Sequence, residues 1–198
     1  MAAVPSRFIQ VYMSILALGL DFWSRNPPRA LLAARWILAA ALLIGWNAAA
    51  CLADPPRKAA VFDFELVDTS LEGEKRGPDP AEAARLIKVS EALRDGLAAS
   101  GRFTIVSTTP AARQIADAGY IRSCNGCELA IARGLGADLA ITGEVHKVST
   151  LILSITIQVK DAATGAVVRT AVADIRGNTD ESWLHGVRWL VRNRLTRD

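Results

Sequence analysis

Apolar and polar residues follow two different periods along the chain. From Ala59 to Val67, Phe62, Phe64 and Leu66 share one parity while Asp63 and Glu65 share the other. Period two with aromatic and branched side chains predicts a half-buried strand. Residues 68–80 are mostly polar, with Gly73, Gly77, Pro78 and Pro80, and predict a loop. The period then changes. Asp79 before Pro80 predicts a helix start, a capping carboxylate followed by proline at the first helical position. Leu86, Val89, Leu93 and Leu97 recur every three to four residues as one apolar stripe, and Ser100-Gly101 closes that helix.

Further along, Phe103 to Val106 predicts a short strand, and Thr109-Pro110 opens a second helix running to about Ala118. Tyr120 to Gly126 is irregular, and Cys127 to Leu135 predicts a third, short helix stopped by Gly134 and Gly136. Leu139 to Val148 predicts a strand. The next stretch alternates clearly, with Leu151, Leu153, Ile155, Ile157 and Val159 facing one way and Ile152, Ser154, Thr156 and Gln158 the other. Residues 161–165 form a turn, and Ala166 to Ile175 returns as the partner strand of a hairpin. Asn178 and Glu181 stand at capping-box spacing before a last helix with a wide apolar face of Trp183, Leu184, Val187, Leu190, Val191 and Leu195. Arg188, Arg192, Arg194 and Arg197 crowd its C-terminal end, where they complement the helix dipole. The order β-α-β-α-(α)-β-β-β-α predicts an α+β fold, a mixed α/β sandwich with helices packed on one face of a mixed sheet. A single domain over residues 54–198 accounts for all of it.

The first 53 residues have a different character. Trp36 to Trp46 is an uninterrupted apolar run, preceded by Arg29 and Arg35 and followed by Ala48-Ala49-Ala50-Cys51-Leu52-Ala53. A basic flank, a short apolar core and an alanine-rich exit predict a secretory signal peptide, with cleavage after Ala50 or Ala53. Extended through Ala53, the run approaches the roughly 20 residues of a membrane span. An uncleaved N-terminal anchor helix is therefore the alternative. Small residues before Cys51 also fit a lipidation site, although the large aliphatic residue usual three positions earlier is missing.

Charge sharpens this division. The whole chain carries a net +3, yet four arginines against one aspartate in residues 1–53 account for all of it. The remaining residues hold equal numbers of acids and bases. A nucleic-acid binder would concentrate cations on the folded domain, so nucleic acid is not an expected partner.

Candidate chemistry is sparse. No Gly-x-Ser-x-Gly elbow and no phosphate-binding glycine loop occur, and no enzymatic constellation is expected. Asp63 and Glu65 form a candidate carboxylate pair on the first strand, with a solvated strand face as the plainer reading. Cys124-x-x-Cys127 is the strongest local signal. In an exported chain it points to a structural disulfide, with a redox-active pair as the rival because Cys127 sits at a helix N-terminus. Glu128 in place of histidine excludes haem attachment, and only His146 and His185 are to hand as further zinc ligands, so no metal or cofactor is expected. Residues 178–183 read first as a helix cap with Trp183 as a core anchor; the alternative makes Asp180, Glu181 and Trp183 candidate partner contacts, since a tryptophan can serve as an interface hot spot.

Ala60-Val61-Phe62-Asp63-Phe64-Glu65-Leu66 resembles the opening strand of TolB amino-terminal-like and curli-secretion-like α/β domains. Cys124-Asn125-Gly126-Cys127-Glu128, Gly136-Ala137-Asp138 leading into residues 143–149, and Asp174 to Trp183 resemble an uncharacterised secreted bacterial family of the DUF2380/DUF3280 type. The resemblance spans roughly residues 59–195 and implies a periplasmic domain without assigning it an activity. The expectation is an exported, non-enzymatic accessory module that meets an envelope protein partner, and the membrane if its leader is retained or lipidated. A thiol–disulfide redox protein using Cys124 and Cys127 and a small-molecule binder are the alternatives.

Overall fold

The computed structural model of the protein describes residues 55–197. The leader, with the proposed lipidation site Cys51, lies outside the described residues. Among those described, no helix is long and apolar enough to cross a membrane.

The chain folds as a mixed α+β protein around a six-stranded sheet. The strands are β1 (Arg57–Val61), β2 (Glu65–Asp68), β3 (Phe103–Val106), β4 (Leu139–Lys147), β5 (Ile152–Asp161) and β6 (Val167–Arg176). The helices are α1 (Leu71–Arg76), α2 (Pro80–Ala99), α3 (Ala112–Ala118), α4 (Cys127–Gly134) and α5 (Asp180–Leu190), the last running on into a π turn over Val191–Leu195. The sheet order is β3-β1-β4-β5-β6, with β2 pairing β4 beyond the end of β1. β1 is parallel to β3 and β4, β2 is parallel to β4, and β4, β5 and β6 form an antiparallel meander.

The two long helices, α2 and α5, cover one face of the sheet as expected. The short helices α3 and α4 take the other face. Ala59 and Val61 of β1 pack with Val89, Leu93 and Leu97 of α2 and with Trp183, Val187 and Leu190 of α5. Ala60 and Phe62 point the opposite way, into a small core with Ile131 and Ala132 of α4 and Ala111 and Ile121. Topology requires this second layer. The β1-α2-β3 crossover steps outward to the sheet edge, whereas the β3-α3-α4-β4 crossover steps back past β1. Two right-handed crossovers in opposite directions place their helices on opposite faces. The residues agree, since Ala59-Ala60-Val61-Phe62 and Leu139-Ala140-Ile141 are apolar on both parities, as parallel strands buried on both sides require.

The first strand is also interrupted. Phe62 and Phe64, expected on one face, enter opposite cores. The break at residues 62–64 is held by side chains of α2. Ser90 Oγ accepts the Phe64 N–H at 2.8 Å, and the Arg94 guanidinium donates to the Val61 carbonyl at 3.1 Å. Gly143 on β4 makes room for the displaced ring, because a Cβ there would stand 2.5 Å from Phe64 Cδ1.

Two local expectations change. Residues 71–76, expected as loop, form α1, capped by Ser70, whose hydroxyl accepts the Gly73 N–H. At α5 the capping residue is Thr179, accepting from the Ser182 N–H at 3.2 Å, and Asn178 is drawn elsewhere. α2 begins and ends as its signals predict, with Asp79 Oδ1 accepting from the Ala81 N–H at 2.8 Å.

Candidate functional site

At one end of the sheet, β2 lies along the free side of β4, and α1 and the first turns of α2 stand opposite. Between them runs an open groove of about 860 Å³. Phe64, Leu66, Leu86 and Tyr120 supply its apolar wall. Glu65, Asp68, Glu74, Asp79 and Glu82 supply the polar one, and among the described residues no lysine or arginine lines it. The Tyr120 side adjoins the irregular segment that sequence left without structure.

Behind the groove sits a buried charge cluster. Lys147, at the end of β4, shares the parity of Ile141 and Val145 and so points into the α2–α5 face, where it is 2% exposed. An ammonium there needs anionic partners. Its Nζ is 2.6 Å from Glu82 Oε1, 3.0 Å from Asp68 Oδ2 and 3.7 Å from Glu72 Oε2. Asn178 Nδ2 also donates to Glu82 Oε1, at 2.6 Å. This bond is why Asn178 does not cap α5. Arg85 continues the cluster, donating to Asn178 Oδ1 at 3.1 Å and Asp180 Oδ1 at 2.9 Å.

Burial opposes the charge on Lys147, but the hydrogen bonds and charges of Glu82 and Asp68 outweigh it and hold the ammonium's pKa above its ordinary value. Burial likewise raises Asp68, but its bonds from Ser70 and Lys147 prevail and leave its carboxyl below the usual range. Glu82 is 1% exposed. Its Oε1 accepts two donors, while its Oε2 has no hydrogen-bond partner among the described residues. A buried carboxylate oxygen left without a donor is costly, and Glu82 is one of the residues that line the groove.

Glu65 fixes the other side. Its carboxylate accepts the backbone N–H groups of Ile121 and Arg122, and Arg122 bridges it at 3.3 Å to Glu144, at 2.7 Å. Burial dominates here and raises the Glu65 pKa despite these bonds. Asp63 is exposed and pairs with Arg94, so the candidate Asp63–Glu65 carboxylate pair does not form.

Cys124 and Cys127 are joined in a disulfide with Cα atoms 5.6 Å apart. Asn125 and Gly126 between them adopt positive φ, 58° and 101°, a conformation glycine enters without strain. The bridge pins the turn that presents Tyr120 and the Ile121 and Arg122 N–H groups. Cys124, Cys127 and Glu128 bring three metal-donor atoms within 4.8 Å of one another. The two sulfurs are committed to the bridge, and Glu128 pairs with Lys160 at 2.8 Å.

Of the expected partner contacts, Glu181 is exposed and Asp180 is held by Arg85 and Lys88. Trp183 follows the core-anchor reading and not the partner-contact one. It is 0% exposed, packed in the larger core with Arg85 5.9 Å above its ring, and serves as the core anchor. His146 is half-buried, with Nε2 3.1 Å from Thr69 Oγ1, and His185 is exposed on α5. Sequence reasoning missed Glu82 and Lys147. The available signal was a lysine at a core-facing position of a strand, which demands a carboxylate from elsewhere in the fold.

The class of protein these features define is a small mixed α+β domain with an open groove beside a free strand edge. The family model DUF3280, described as "Protein of unknown function (DUF2380)", matches residues 57–195, and the chain belongs to that family. No curated protein sequence matches it significantly. Among solved structures, the LpoB C-terminal domain from Salmonella enterica is 20% identical with a TM-score of 0.44, covering 67% of this chain and 92% of that one. Lipoprotein GNA1162 from Neisseria meningitidis is 14% identical with a TM-score of 0.44, over 72% and 99% of the two chains. TolB from Acinetobacter baumannii is 14% identical with a TM-score of 0.39, over 71% of this chain and 29% of that one. At these identities and scores the likeness adds nothing to the chemistry of the groove.

Proposed function

We propose that the chain is an exported, non-enzymatic interaction domain of the cell envelope, which docks a protein partner in the groove between β2 and α1–α2. The observation that carries this reading is the groove itself. An apolar wall and a polar wall flank a strand that keeps one edge unpaired among the described residues, the arrangement that strand-adding recognition domains use. Export is supported by the basic flank, apolar core and alanine-rich exit of the leader, and by the Cys124–Cys127 bridge, since such bridges persist in oxidising compartments. Retention or lipidation of the leader would add a membrane contact.

Site-specific photo-crosslinking in intact cells tests the docking. A photoreactive residue at Tyr120 is expected to give a discrete crosslinked partner, while one at exposed Glu91, outside the groove, gives none. Equal yields from both positions, or no product at Tyr120, would overturn the reading. Mass spectrometry of the protein recovered from cells reports any leader cleavage and any lipid on Cys51. A cytosolic chain of full mass would overturn export.

A further inference from the structure

The groove has a more specific chemistry, which rests on the docking role proposed above. We propose that its occupant is an extended peptide segment that pairs with the free edge of β2 and places a lysine or arginine side chain against Glu82.

Three observations converge. The first is the backbone. Among the described residues β2 bonds to β4 alone, on one side. The Thr69 N–H donates to the Lys147 carbonyl at 2.9 Å, which sets the phase of the ladder. In a parallel ladder alternate residues turn both backbone groups the same way, so Glu65 and Val67 face β4 while Leu66 and Asp68 face the groove. The four residues of β2 offer an edge of about 13 Å, at about 3.3 Å per residue, for another strand.

The second is charge. Five carboxylates line the groove, and no cation does among the described residues. Lys147 and Arg122, the cations packed behind its walls, offset only part of that charge. Lys147 is shared among Glu82, Asp68 and Glu72, and Arg122 between Glu65 and Glu144. A basic segment is complementary, and an acidic one is repelled.

The third is the unpartnered oxygen. Glu82, a residue of the groove lining, is fixed in place by Lys147 and Asn178 through Oε1, and its Oε2 is buried without a donor among the described residues. An ammonium or guanidinium N–H entering from the groove would supply that donor as a charge-assisted bond. The apolar wall of Leu66, Leu86 and Tyr120 suits the aliphatic stem of such a side chain and its apolar neighbours.

Fluorescence anisotropy on the purified full chain tests this with three labelled hexapeptides. One alternates valine and arginine, one has glutamate for each arginine, and one is the arginine peptide N-methylated at alternate amides. Saturable binding of the arginine peptide is expected, weakened about tenfold or more by the glutamate exchange and by N-methylation, since each removes at least one charge-assisted or backbone bond. Ala83→Arg, an exposed change on the groove wall, is expected to weaken binding by a similar factor without unfolding the protein. Glu82→Gln keeps the bond to Lys147 and should also weaken the arginine peptide, with circular dichroism reporting the fold. Equal binding of the arginine and glutamate peptides, insensitivity to Ala83→Arg, or no binding at all would overturn the inference. If a Tyr120 crosslink to a partner persists in cells while the peptides fail, docking stands and the basic, extended occupant falls. If both fail, both fall.

Discussion

The two faces of the sheet are built in different ways. The α2–α5 face is filled by large side chains, among them Leu93, Leu97, Ile155, Ile157, Trp183 and Leu190, and α5 approaches closely at Gly186, where a Cβ would stand 2.8 Å from Ile175 Cγ2. The α3–α4 face is filled largely by alanines, Ala60, Ala111, Ala132, Ala137, Ala140 and Ala162, with a disulfide at its margin. Large side chains bury more apolar area per residue, so the first face contributes most of the hydrophobic stabilisation. The second face buries little and relies on local constraints: the bridge, the Glu65 carboxylate on two backbone N–H groups, and the Glu128–Lys160 pair. The groove opens at the end of the sheet where both kinds of support meet. Its α2 wall rests on the large core, and Tyr120 belongs to the pinned turn.

Breaking the large core should have the largest effect. Trp183→Ala removes a fully buried ring and is expected to cost about 3–5 kcal/mol, read from the midpoint of denaturant unfolding. The buried cluster comes next. Lys147→Met leaves Glu82 and Asp68 facing each other without their cation and should cost about 3 kcal/mol by the same measurement. A loss below about 1 kcal/mol would mean that the lysine holds little of the structure together. Gly143→Ala tests the displaced Phe64 ring, which packs in the larger core. The new methyl overlaps the ring, and a loss of about 2 kcal/mol is expected from overpacking.

On the other face, replacing Cys124 and Cys127 together by serine should cost about 2 kcal/mol for so short a loop. Hydrogen exchange should rise at Ile121 and Arg122 before it rises in α2. Uniform acceleration across both faces would erase the distinction between them.

The smallest effect is a pH slope. Asp68 is held below its ordinary pKa, so its contribution is present above the unfolded value of about 3.8 and is lost as pH falls through the folded one. Lys147 is held above 10.5, so its contribution is present below that value and fades only in strong alkali. Glu65 is raised, so its carboxyl takes up a proton in the folded state first and opposes the acid loss from Asp68. Asp68→Asn should therefore flatten the fall in stability as pH drops below about 3.8, measured by thermal unfolding in acid. An unchanged slope would assign acid sensitivity to other carboxylates.

Much of the fold is legible in the residue pattern. The stripe on α2, the cap at Asp79, and the alternation from Leu153 to Val159 each predict an element and the side it buries. The misses share a cause. Phe62 and Phe64 share a parity, yet Ser90 and Arg94, distant in sequence, break the strand between them. Asn178 has capping chemistry, but Glu82, 96 residues away, draws its amide inward and leaves the cap to Thr179. The disulfide candidate was visible because its two residues are local. The groove was not, because its walls come from β2, α1, α2 and the Tyr120 turn.

The sequence by itself determined the periods, and with them the strands, the helices and the α+β class, because side-chain direction within one element depends only on spacing along the chain. It also determined the charge division between a basic leader and a balanced domain. Tertiary structure alone decided that helices cover both faces, that Lys147 meets Glu82, and that β2 keeps one edge unpaired among the described residues. Those outcomes depend on the handedness and direction of the crossovers and on contacts between residues far apart in the chain, which no local spacing encodes.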